Sequence, residues 1–139
     1  MKTTKLWAAA LILGLTLLGV CPAAARGQQP VSNAKIIGTW DVEVMAQGQS
    51  YYLILVLSEN QGELEGKISE QGGMFTDAVL SSIKFDGENL SFEFTGPTPP
   101  DGVQRLIQTT LALNGDVMEG SVTVPDLGIA AQAKATKRA

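Results

Sequence analysis

Side chains able to do chemistry are few in this chain. Histidine is absent from all 139 residues, and the one cysteine is Cys21. Without imidazole there is no Ser-His-Asp triad, no Cys-His pair and no histidine-bound zinc. Carboxylates remain at Asp41, Glu43, Glu65, Glu70 and Glu93. They mostly alternate with apolar neighbours, which puts them on outward faces, where a charge is simply solvated. A paired-carboxylate hydrolase therefore finds no support. No D-x-D-x-D-G calcium loop and no glycine-rich phosphate loop occurs. Arg105 shares parity with Ile107 and Leu111, near the start of a strand. There its guanidinium could hold a carboxylate head group, or it could be a rim residue with a buried stem and a solvated head. Tyr51 and Tyr52 are adjacent, so one of the two faces inward. Asn89-Leu90-Ser91 is a glycosylation sequon that carries no weight beside a bacterial-looking leader. The residues point to a non-enzyme with no cofactor and no metal.

The elements that must position these residues begin after a leader. Lys2 and Lys5 form a basic head, Leu6 to Val20 an apolar run, and Ala23-Ala24-Ala25 a small-residue cleavage site. These are the parts of a secretory signal peptide, and the apolar run is shorter than the roughly 20 residues that cross a bilayer. Residues 1–25 are expected to be removed, giving an exported product, periplasmic or extracellular, with no transmembrane span. Leu18-Gly19-Val20-Cys21 also resembles a bacterial lipoprotein signal, although Val20 stands where Gly, Ala or Ser is usual. Loss of Cys21 with the leader is preferred to lipid attachment. The mature chain of 114 residues then has no cysteine, and its eight basic and fourteen acidic residues give a net charge of −6. An evenly distributed acidic surface argues against nucleic acid as a partner. Residues 26–35 suit a flexible spacer, and residues 36–139 suit one ordinary domain.

From Ile36 onward the apolar residues recur with period two, and turn signals fall every 8 to 15 residues. Trp40, Val42 and Val44 share a face, as do Leu53, Leu55 and Leu57, then Leu90, Phe92 and Phe94, then Met118, Val122 and Val124. The stretch from Phe75 to Phe85 is less regular, and its alternation slips at Ser81-Ser82, which predicts a bulge or break. Gly96 to Gly102, GPTPPDG, is expected to be a long loop, because its prolines cannot join a ladder. About eight sequential strands predict an all-β fold, a single antiparallel up-and-down barrel closed against edge exposure. A two-sheet β-sandwich is the alternative.

Gly38-Thr39-Trp40 at the head of the first strand resembles the G-x-W signature of the calycins, the lipocalin and avidin group of barrels. Together with L-E-G-K-I, F-D-G-E-N-L-S-F, N-G-D-V-M-E-G-S-V and a basic end, it is similar to small exported bacterial calycin-like domains. The resemblance implies that Gly38 and Trp40 are structural and that Trp40 plugs one end of the barrel. It further implies that a basic residue from the last strand lies across the indole, and of the available pair Arg138 is preferred to Lys137 because its planar group stacks better. Biotin binding is not implied, since Trp40 is the only tryptophan left in the mature chain.

An eight-stranded barrel is either filled by its side chains or holds one small ligand. The last strand presents Ala130, Ala131, Ala133 and Ala135, which either fits a taper or leaves an apolar void. Trp40, Tyr51, Arg105, Phe92, Phe94, Ala131 and Ala133 are the candidate ligand-binding residues. On the outside, Tyr52, Ile54 and Val56 suggest a surface for self-association or another partner. A small hydrophobic ligand in the interior or mouth is the first expectation and an interaction or inhibitor module acting through that outer face the second. A cofactor-free cyclase or isomerase, polarised by Arg105 or a tyrosine, is the last.

Overall fold

The computed structural model describes residues 32–139. The expected leader and cleavage site, Cys21 and the first part of the expected spacer lie outside the described residues. The spacer's last residues, Asn33–Lys35, form a short 3-10 turn capped by Ser32, and Ile36 behind it is fully buried. Nine strands follow: β1 (Gly38–Ala46), β2 (Gln49–Asn60), β3 (Glu63–Glu70), β4 (Ala78–Val79), β5 (Ser81–Phe85), β6 (Asn89–Thr98), β7 (Val103–Asn114), β8 (Val117–Val124) and β9 (Ile129–Lys137). All ladders are antiparallel, in the order β4-β3-β2-β1-β9-β8-β7-β6-β5. This is one up-and-down sheet, curled into a nearly closed barrel, and not a sandwich.

Closure falls at the irregular segment. β4 pairs with β3 and β5 pairs with β6, while the Leu80 amide between them donates to the Gly66 carbonyl at 3.0 Å. One broken strand thus hands the sheet from its first edge to its last. The strand is interrupted at Leu80, and a bulge follows at Ser82, whose φ is +51°, with a register shift between Ser81 and Lys84. This is where the alternation slips in the sequence.

The expected loop from Gly96 to Gly102 is a correction. β6 continues through Pro97, which stands opposite Gln104, and only Pro99 to Gly102 turn. β5 reaches no further along β6 than Glu93. Beyond that point β6 has a ladder partner on one side only, and an edge tolerates a residue without an N–H.

The core matches the period-two pattern. Trp40, Val42 and Val44 are buried, as are Leu53, Leu55 and Leu57, and Leu90, Phe92 and Phe94. Burying each such side chain contributes about 1.5–3 kcal/mol. β1 fixes the ends of the barrel. Trp40 at its start lies opposite Leu55 and Lys137, while Ala46 at its end lies opposite Gln49.

Candidate functional site

The Trp40 end is closed. The indole is fully buried, and its Nε1–H donates to the Ile36 carbonyl at 2.8 Å, which ties the incoming chain across the barrel's base. Gly38 is needed at the head of the strand because its φ is +132°, a region that side chains rarely adopt. A Cβ there would also lie 3.4 Å from the Lys137 Cε. The cation over the indole is Lys137, with Nζ 5.6 Å from the ring centroid and 3.3 Å from the Lys35 carbonyl that it also binds. The expectation of Arg138 is therefore corrected. Lys137 stands directly opposite Trp40 in the β1–β9 ladder, and Arg138 has passed to the outside. There it grips Asp41 through Nε and Nη2 at 2.7–3.1 Å. This bond holds the Asp41 carboxyl below its ordinary range.

The other end is hollow. A cavity of about 340 Å³ opens between the β1–β2 turn, the loop from Glu70 to Phe75, the β6–β7 turn and the β8–β9 connection. Its inner wall is Val44, Leu53, Phe94, Ile107, Val122 and Ala131. Nearer the mouth are Tyr51, Phe75, Pro97 to Pro100, Val124, Leu127 and Ile129. Phe75 leans on Phe94 with ring centroids 5.8 Å apart. Polar groups are confined to the rim. Tyr51 Oη donates to Gln49 Oε1 at 3.0 Å, and the Glu70 carboxylate accepts the Met74 amide at 2.9 Å. Among the described residues no Lys or Arg lines the cavity.

Of the seven candidate binding residues, Tyr51, Phe94 and Ala131 line this cavity, and four do not. Trp40 closes the opposite end. Phe92 and Ala133 lie farther along the barrel, 2% and 5% exposed, as packed core. The alanines of β9 divide accordingly. Ala133, between Val44 and Gly120, and Ala135, between Val42 and Met118, are packed core, Ala131 lines the cavity, and Ala130 faces outward.

Arg105 is committed elsewhere. Its Nη1 and Nη2 each lie 2.7 Å from an Asp101 oxygen, and Nη1 also donates to Thr98 Oγ1 at 2.7 Å. The Thr98 hydroxyl in turn donates to the Val103 carbonyl at 3.2 Å. The guanidinium braces the β6–β7 turn and holds the Asp101 carboxyl far below its ordinary range. It is a bound rim residue and not a free anchor for a ligand carboxylate.

Period-two parity found the wall residues on regular strands. It did not assign Glu70, which ends β3 and shares the parity of Ile68, or Pro97 on β6, whereas Met74, Phe75, Leu127, Pro99 and Pro100 lie outside the strands and carry no parity. It also passed over Thr109, which lies between Ile107 and Leu111 on the inward face, is 4% exposed, and has a hydroxyl with no hydrogen-bond partner among the described residues. The spacing of inward residues on that strand was the available signal.

On the outside, Tyr52 and Val56 are 51% and 43% exposed, and Ile54 is half-buried. Their ladder neighbours are Glu43, Asp41, Thr39, Ser69 and Lys67, so polar side chains interrupt the apolar row. Among the described residues there is no group of three or more acidic, Cys or His side chains able to hold a metal ion, and no helix long and apolar enough to cross a membrane. No protein-family model, curated protein or solved structure matches the chain.

Proposed function

We propose that this chain is an exported, calycin-like barrel that binds a small apolar molecule in the hollow end opposite Trp40, and that it does so without catalysis. The cavity carries this reading. Its volume of about 340 Å³ falls within the range of small-molecule sites. Its wall is aliphatic and aromatic, its polar groups are few, and they stand at the rim. Support for the calycin-like part comes from the up-and-down strand order and from Gly38 and Trp40 closing one end beneath a basic residue of the last strand. An apolar molecule moved from water into such a wall gains about 25 cal/mol per Å² of surface removed from water.

Native mass spectrometry of the mature protein, recovered from its own host without detergent, tests the proposal. The expected spectrum shows an adduct of small-molecule mass that is lost on denaturation. A bare chain that also takes up no added apolar compound would overturn it. The intact mass also tests export, since cleavage after Ala25 fixes its value.

A further inference from the structure

Among the described residues that line the cavity, Glu70 carries the only carboxylate, and none carries an ammonium or guanidinium. Its place in the ladder aims it inward. Glu70 ends β3 on the parity of the buried Ile68 and stands directly opposite Leu53, which is 7% exposed and belongs to the cavity wall. Residues opposed in an antiparallel pair project from the same face of the sheet, so this side chain leaves β3 on the cavity side. The sequence groups it with outward carboxylates such as Glu43, and the ladder corrects that. Glu70 is half-buried, and its loop holds it at the mouth. Its Oε2 accepts the Met74 amide at 2.9 Å. Its own amide donates to the Phe75 carbonyl at 3.0 Å, and its carbonyl accepts the Gly73 amide at 3.1 Å. Met74 and Phe75 line the cavity too. A glutamine amide oxygen could accept the same Met74 bond, so the loop does not require the charge.

No described cation is free to balance that charge. Arg105 is held through both Nη atoms by Asp101. Lys35, Lys137 and Arg138 stand at the Trp40 end. Lys67, Lys84 and Lys134 are exposed, and their ladder partners Val56, Ser91 and Glu43 lie on the outer face. We infer that the ligand is an apolar amine, with its hydrocarbon body against the inner wall and its protonated nitrogen at the mouth, bound to the Glu70 carboxylate. The inference rests on the cavity being a binding site. An ammonium brings N–H donors and the opposite charge to an acceptor that is already positioned. A carboxylate at the same place would set two like charges side by side.

The test is displacement of the uncharged dye N-phenyl-1-naphthylamine by octylammonium, 1-octanol and octanoate at neutral pH and low salt, for the wild type and for Glu70→Gln. In the wild type octylammonium is expected to bind tightest and octanoate weakest. The ratio of octylammonium to octanol affinity is expected to fall roughly two- to fivefold in Glu70→Gln, the scale of a partly exposed ion pair, and to shrink in the wild type as salt is raised. Cooperative melting of Glu70→Gln separates a lost charge from a damaged fold, and the wild-type ranking decides the matter if that variant does not fold. An unchanged ratio in a folded Glu70→Gln, or octanoate binding as tightly as octylammonium in the wild type, would overturn the inference and leave the cavity proposal standing. Failure of the dye and all three compounds to bind the wild type would overturn both.

Discussion

At the scale of single residues, the base of the barrel depends on what Trp40 touches. Trp40→Phe keeps the apolar ring but strands the Ile36 carbonyl, and is expected to cost about 1–3 kcal/mol in urea denaturation. Lys137→Ala is expected to cost about 0.5–1 kcal/mol and to shift the emission of Trp40, the sole tryptophan of residues 26–139. Arg138→Ala is expected to leave that emission unchanged, because Arg138 bonds to Asp41 on the outside. Equal shifts from both variants would refute the assignment. The role of Trp40 was legible from its position at the head of an alternating strand. The choice between adjacent basic residues was not, because it turns on a one-residue register between two strands about a hundred positions apart. Thr109 was missed for a related reason: a threonine among apolar residues reads as an ordinary strand residue until the burial of its hydroxyl is known.

Individual elements depend on local geometry that the alternation does not carry. On β8, a Cβ at Gly120 would coincide with the Thr110 carbonyl oxygen and come within 2.9 Å of the Leu111 Cα. Gly120→Ala is therefore expected to destabilise by about 1–3 kcal/mol, because backbone and not a flexible side chain must yield. A melting temperature equal to that of the wild type would refute this. The β6–β7 turn is held by the Arg105–Asp101 pair. The folded state keeps the Asp101 carboxyl below its ordinary value of 3.8. Asp41 and Asp86 are lowered too, Asp41 chiefly by Arg138 and Asp86 chiefly by the backbone amides of Asn89 and Glu88. A lowered folded pKa means that the contribution is complete above the unfolded pKa and is lost as the pH falls toward the folded one. Stability is thus expected to decline from about pH 4 downward. In Asp101→Asn the decline should be shallower and the neutral-pH stability lower; an identical acid profile would show that the pair does not brace the turn. The hairpin turns and the bulge at Ser82 could be read from the sequence, because turn residues and a parity slip are local signals. The continuation of β6 through Pro97 could not, because a proline's tolerance depends on whether a neighbouring strand lies beside it.

For the whole molecule, the up-and-down barrel followed from strand number, alternation and short connections, whereas its hollow did not. Parity tells which side chains face in but not whether they meet across the barrel. Of the two possibilities for β9, both are realised: Ala133 and Ala135 are packed core, and Ala131 borders space. The mouth is finished by loop residues such as Phe75 and Leu127, whose positions no periodic pattern encodes. A binding barrel with one plugged end and one apolar open end is tested most directly by titrating N-phenyl-1-naphthylamine into the wild type and into Ala131→Phe, which puts a ring into the hollow without touching the Trp40 end. The expected result is saturable one-to-one binding by the wild type and its loss in Ala131→Phe, with the variant still melting cooperatively. Equal binding by both proteins, or no saturable binding by the wild type, would contradict it.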